Sequence, residues 1–183
     1  LKLAQGQVYS QNNSPTAKPQ ASQGDTVIIS AFWQTLTPMD KNYSVAAVLH
    51  APDGSVLARR ETYPGLGLRP TRYLNPGDTF IDVYPLELDV DLSKPIVAQA
   101  TVNLFDVDSE TRAGFPALDA SGNEVTPLVG QIKLVPQTWP DYQPTHPAQV
   151  NFDNTIVLTG YDLTPDTSIL TLYWESLAPI NED

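Results

Sequence analysis

The sequence predicts an all-β protein: an antiparallel immunoglobulin-like β-sandwich of about seven strands, followed by a partial second repeat. Three observations carry that expectation. Apolar and polar residues alternate with a period of two through segment after segment, the pattern of a half-buried strand. Seventeen prolines stand against one methionine, and proline removes a helical donor and clashes with the preceding turn. No window of a dozen residues carries apolar side chains at helical spacing. Short strands divided by turn residues, with no interleaved helices, assemble as a sandwich.

The opening LKLAQGQVYS supplies the first strand. In TVIISAFWQTL (26–36), Val27, Ile29, Ala31 and Trp33 share one face, and Ile28, Ser30, Phe32 and Gln34 share the other. YSVAAVLHA (43–51) and SVLARRETY (55–63) flank Pro52-Asp53-Gly54, and two alternating segments around such a turn predict a hairpin. NPGDTFIDVYPLELDV (75–90) begins on a Pro-Gly turn. Within it, Pro85 predicts an edge strand or a bulge. IVAQATVNLFDV (96–107) places Ala98, Ala100, Val102 and Leu104 on one side. After the turn DASGNE (119–124), PLVGQIKLV (127–135) is the last strand. Residues 1–136 thus have the size of one immunoglobulin-like domain.

Residues 137–149, QTWPDYQPTHPAQ, carry three prolines and no periodicity, which predicts a semi-rigid linker. Residues 150–183 then hold two strand-like segments, NTIVLTGYDL and TSILTLYWESLAPINED. An ungapped offset of 141 lays Trp174 on Trp33, Asp166 on Asp25, Thr167 on Thr26, Ile169 on Ile28, Leu177 on Leu36 and Pro179 on Pro38. IVLTGYDL fits on LKLAQGQV, with SQNNSPTAKPQASQ inserted in the first copy only. Self-similarity of this kind marks a structural repeat. Residues 150–183 therefore read as the N-terminal fragment of a second, truncated sandwich whose other strands lie beyond residue 183. Two strands cannot bury an apolar face alone, so this fragment is expected to pair with the first sandwich or with a neighbouring chain.

Ten Lys+Arg against 21 Asp+Glu give a formal net charge of -11. That field repels phosphate backbones and anionic membrane surfaces, which argues against nucleic-acid binding. The absence of cysteine excludes a disulfide framework and thiolate metal sites, and leaves the redox compartment open. No apolar run approaches the roughly 18 residues of a membrane span, so these residues are not expected to insert in a membrane.

The order of segments FWQTLTPMDKNYSVAAVLHAPDGSVLARRE, RPTRYLNPGDTFIDVYPLEL and ATVNLFDVDSETRAGFPALDASGNEV…VGQIKL, with LYWESLAPINED opening a second round, resembles a particular module. It is an immunoglobulin-like β-sandwich of Chloroflexi-type bacteria, often found beside multi-pass glycosyltransferases of the mannosyltransferase-like class. In that family a Tyr/Phe-Trp strand leads to an Ala-Pro turn, a hairpin, a Pro-Gly segment and a second hairpin. Residues 26–134 follow the pattern and 155–183 follow its beginning. The chain departs at His50-Ala51-Pro52, at Tyr73, where the family favours tryptophan, and at FDVDSETR. The resemblance implies the fold and an extracytoplasmic setting, at the cell surface or secreted and tethered through other regions. It brings no catalytic set.

The best metal candidate is DVDSE, with Asp106, Asp108 and Glu110 alternating, since oxygen ligands spaced by two can wrap calcium. Against it, Arg112 stands where a further ligand belongs and the sixth loop position is not glycine. The plain alternative is a hairpin turn capped by Asp side chains. The two histidines, His50 and His146, lie near a turn and among linker prolines, and no nucleophile-elbow pattern is present. GLGLRP (65–70) reads as a flexible connection.

Trp33, Tyr43, Tyr63, Tyr73, Tyr84 and Trp139 are the aromatics available for a sugar platform. Trp33 and Trp174, recurring at one strand position, read as packing residues. Tyr63 and Tyr73 flank the Pro/Gly-rich loop and are better placed to touch a ligand. Asn12-Asn13-Ser14 and Asn42-Tyr43-Ser44 match glycosylation acceptors, which a bacterial source leaves unused. The expected function is a non-catalytic extracytoplasmic spacer, adhesion or protein-interaction module of a larger cell-surface protein. The alternative is a carbohydrate-binding module serving an associated glycosyltransferase, so the partner is a glycan or a protein.

Overall fold

The computed structural model describes residues 1–11, 19–139, 141–164, 166 and 168–178. It is an all-β protein in two compact units, Leu1–Trp139 and Pro140–Asp183. Most of the insertion, with Asn12-Asn13-Ser14, and the matched positions Thr167 and Pro179 lie outside the described residues.

In the first unit the strands are β1 (Lys2–Ser10), β2 (Gln20–Ser22), β3 (Thr26–Gln34), β4 (Ser44–His50), β5 (Val56–Thr62), β6 (Thr79–Glu87), β7 (Ile96–Phe105), β8 (Ala117–Leu118), β9 (Glu124–Val125) and β10 (Leu128–Val135). They form a three-stranded sheet β1-β3-β6, a five-stranded sheet β2-β10-β7-β4-β5 and the small hairpin β8-β9. The seven long strands match the seven expected. Pairing is antiparallel apart from β2 on β10, which is parallel.

The core lies between the two sheets. Val27, Ile29, Ala31 and Trp33 of β3 meet Val45, Ala47 and Leu49 of β4, Ala98, Ala100 and Val102 of β7, and Ile132 and Leu134 of β10. Burying each Val, Leu or Ile among them contributes about 1.5–3 kcal/mol. Alternation is broken in β4, which is buried on both faces, because Ala46 and Val48 also pack on Phe105. Pro85 sits in β6, an edge strand of the smaller sheet, where its missing N–H interrupts no ladder between two neighbours.

The second unit is the sheet β11-β12-β13, with β11 at His146–Phe152, β12 at Ile156–Thr164 and β13 at Ile169–Ser176. It holds three strands where the sequence suggested two, and residues 146–149 belong to β11 rather than to a linker. Pro147 is tolerated because β11 is an edge strand whose register shifts between Pro147 and Val150. Asp153 and Asn154, both left-handed at φ 52° and 53°, turn β11 into β12, and the Thr155 N–H closes the turn on Phe152 O at 3.0 Å. The backbone partners of β12 are thus β11 and β13, from the same unit.

The two units share a pairing geometry. In the first, Leu3 lies opposite Trp33, the register shifts between Leu3 and Gln5, and Gln5 lies opposite Phe32. In the second, Leu158 lies opposite Trp174, the register shifts between Leu158 and Gly160, and Gly160 lies opposite Tyr173.

Candidate functional site

Alternation in β6 sends Phe80, Asp82, Tyr84 and Leu86 inward, so a carboxylate enters the core. Asp82 is 3% exposed, and a buried carboxylate needs its lone pairs satisfied. Its Oδ2 accepts from the Tyr84 hydroxyl at 2.8 Å and from the Gly65 backbone N–H at 2.8 Å. Its Oδ1 accepts from the Val83 N–H at 2.9 Å. Trp33 Nε1 donates in turn to the Tyr84 hydroxyl at 3.3 Å. Burial, reinforced by the Asp82 charge, drives the Tyr84 phenol well above its ordinary range.

This network holds the loop that the sequence suggested was flexible. Pro64 to Arg69 closes on itself through Gly67 N–H to Tyr63 O at 2.9 Å and Arg69 N–H to Pro64 O at 2.9 Å. Gly65 (φ 67°), Leu66 (φ 52°) and Gly67 (φ 94°) are all left-handed, a conformation the two glycines adopt at little cost. The following 3-10 turn, Thr71–Tyr73, is pinned by buried Thr71, whose Oγ1 donates to Lys41 O at 3.0 Å and accepts from Tyr43 N–H at 2.8 Å.

Of the two tyrosines expected at this loop, Tyr63 is half-buried, and its carbonyl is the atom tied to Gly67. Tyr73 is 65% exposed. The Arg72 guanidinium sits 4.6 Å above its ring and donates to its hydroxyl at 2.5 Å. One face of Tyr73 is therefore already covered, and among the described residues no ring contact joins it to Tyr63. Trp33 and Tyr84 are buried, and Tyr43 packs edge-on against Phe115 at 5.2 Å.

The expected metal ligands occupy a turn of their own. Lys41 Nζ pairs with Asp106 Oδ2, and Asp106 Oδ1 caps the Asp108 N–H at 3.1 Å. Asp106 is held below the usual carboxylate range first by that Lys41 hydrogen bond. Asp108 and Glu110 do not join it, and among the described residues no three His, Asp or Glu side chains gather as a metal group. His50 Nε2 lies 3.1 Å from Thr101 Oγ1, and His146 stacks on Tyr161 at 4.9 Å.

Two open faces remain. The outer face of β1-β3-β6 carries a dip of about 310 Å³ lined by Gln5, Gly6, Gln7, Ser30, Phe32 and Ile81. Below it the next row is Tyr9, Ile28 and Pro85. One face of β11-β12-β13 is apolar, formed by Val150 and Phe152 of β11, Leu158 and Leu163 of β12, and Leu170, Leu172 and Trp174 of β13. The Phe152 and Trp174 rings touch at 5.6 Å between centroids. The opposite face is partly covered by Pro144, which lies where any side chain on Gly160 would stand. There Asp162 accepts from the Tyr173 hydroxyl and from the Thr145 N–H.

No family model matches the chain, and no curated protein matches it. A solved chain described as the X-ray structure of a structural genomics consortium target is similar over 78% of this chain and 93% of its own. At 11% identity and a TM-score of 0.28, that likeness carries no argument about function.

Sequence reasoning passed over two residues that matter here. Asp82 was visible as a lone acid between Phe80 and Tyr84 at inward positions of an alternating strand. Phe32 was visible as an aromatic ring on the solvent side of β3, among Ile28, Ser30 and Gln34.

Proposed function

We propose that the chain is a non-catalytic immunoglobulin-like module of a larger extracytoplasmic protein, serving as a spacer and interaction domain within an array of similar repeats. The observation that carries this reading is the shared geometry of β1-β3 and β12-β13, down to the same register shift beside the same Leu–Trp pair. Their environments differ. Trp33 is 4% exposed against the five-stranded sheet, whereas Trp174 is 50% exposed. Leu170 and Leu172 stand open where Ile29 and Ala31 are sealed. An uncovered apolar sheet face is what one layer of a sandwich presents before its partner packs on it, which supports the reading, and repeat modules are stabilised by such neighbours.

The experiment is to compare this chain with the larger protein of which the reading makes it a part. The Trp174 indole should become buried, with a blue-shifted emission in a variant carrying Phe in place of Trp33 and Trp139. Emission that stays at the fully solvated wavelength sinks the reading. The extracytoplasmic setting rests on the family resemblance. It is tested by protease shaving of intact cells, which should release the module.

A further inference from the structure

We propose that the outer face of the β1-β3-β6 sheet is a binding site for a neutral oligosaccharide, centred on Phe32. The reading goes beyond a spacer role and does not depend on it.

Cross-strand pairing builds the site. Gln5, Phe32 and Ile81 form one row across the three strands, and Gln7, Ser30 and Val83 form the next. These rows hold no charged residue, although the chain as a whole carries 31 acidic and basic side chains. Charges enter this face only at its ends, with Lys2 opposite Gln34 and Glu87 opposite Thr26. The ring of Phe32 and the side chain of Ile81, which is 68% exposed, make an apolar floor. Gln5, Gln7 and Ser30 rim it with two amides and a hydroxyl. Among the described residues these three side chains make no hydrogen bond within the protein, so their donors and acceptors are available.

That combination selects the ligand class. A pyranose presents an apolar C–H face to an aromatic ring and a rim of neutral hydroxyls that both donate and accept. Amides and a hydroxyl match such a rim, since each also does both. An anionic ligand finds no cation in these rows, and the overall field repels it. The dip, about 310 Å³, lies at the small end of ligand sites, which run to about 300–1,000 Å³. That suits one sugar ring seated on an open sheet, with its chain continuing over the next row. Tyr73 offers no equal, because Arg72 already stacks on it.

The test uses the 183-residue chain, ¹⁵N-labelled, titrated with cellopentaose and mannopentaose, with tetragalacturonate as the charged probe. At least one neutral oligosaccharide should give saturable shifts centred on the amides of residues 5–8, 28–33 and 80–83. Phe32→Ala and Gln7→Ala should weaken its binding by about tenfold or more, Phe32→Tyr should retain it, and Tyr73→Ala should leave it unchanged. Amide spectra of each variant check that it is folded. The proposal is overturned if neither neutral probe gives saturable shifts on these strands. It is equally overturned if tetragalacturonate binds better, or if folded Phe32→Ala binds as the parent does.

Discussion

The Tyr84 hydroxyl donates a 2.8 Å hydrogen bond to Asp82 Oδ2 inside the sandwich. The same oxygen of Asp82 receives the Gly65 amide, so one buried carboxylate couples a core tyrosine to a surface loop. Tyr84→Phe removes a donor to Asp82 and the acceptor of Trp33 Nε1. We expect a loss of about 1–3 kcal/mol, read by urea denaturation. A change below a few tenths would mean that water or a neighbour replaces the bond.

Asp82→Ala is expected to act on the loop as well as on stability. The Gly65 N–H loses its acceptor, so amide exchange at residues 65–69 should accelerate well beyond that at Val45 or Val102 in the core. Uniform acceleration across the unit would instead report global destabilisation.

The same tyrosine sets an alkaline limit. Burial raises its folded pKa above the ordinary value of 10.0, so the folded protein keeps the proton that the unfolded chain releases. The stability tied to that proton is complete below pH 10 and declines as pH rises beyond it. Melting temperature should therefore fall above pH 10, less steeply in Tyr84→Phe. Absorbance at the phenolate band should show one tyrosine titrating only with unfolding.

Gly160 faces the Pro144 ring, where an added Cβ would stand 2.3 Å from Cγ and 2.8 Å from the His146 carbonyl. Gly160→Ala should destabilise the second unit by about 1–3 kcal/mol through overpacking. Exchange should accelerate at β12 and β13 with little effect on β4 or β7. Trp33→Ala is the converse, with a cost to the first unit of about 3–5 kcal/mol.

Because Asp106 is engaged by Lys41, adding calcium or EDTA should leave the melting temperature unchanged. A ligand of the native state must raise it by mass action, so a calcium-dependent rise would show that Lys41 is displaced.

Strands that bury a single face were legible for that reason: Val27, Ile29, Ala31 and Trp33 announce β3 by their alternation alone. So was the edge position of Pro85, which follows from its missing donor. β2 was not legible. Its three residues, Gln20–Ser22, are held by a parallel partner more than a hundred positions away, and so remote a pairing leaves no local mark. β11 was hidden by Pro147 and the proline-rich stretch before it, although Asp153-Asn154 is a fair hairpin signal once φ is known to be positive at both. The ordered loop at Gly65 was unreadable from its own residues, since its anchor is Asp82. The outer sheet face was half-legible: the alternation placed Phe32 and Ser30 outward, but their alignment with Gln5, Gln7 and Ile81 depends on register.

The parallel pairing of β2 with β10 bears on how the first unit carries tension. Pro19 O accepts from Lys133 N–H at 3.0 Å, and the ladder continues through Ala21 beside Leu134 and Ser22 beside Val135. A force that draws the start of β2 and the end of β10 apart runs along this seam, loading its bonds together in shear rather than peeling them one by one. The unit should thus resist extension better than its few seam bonds suggest.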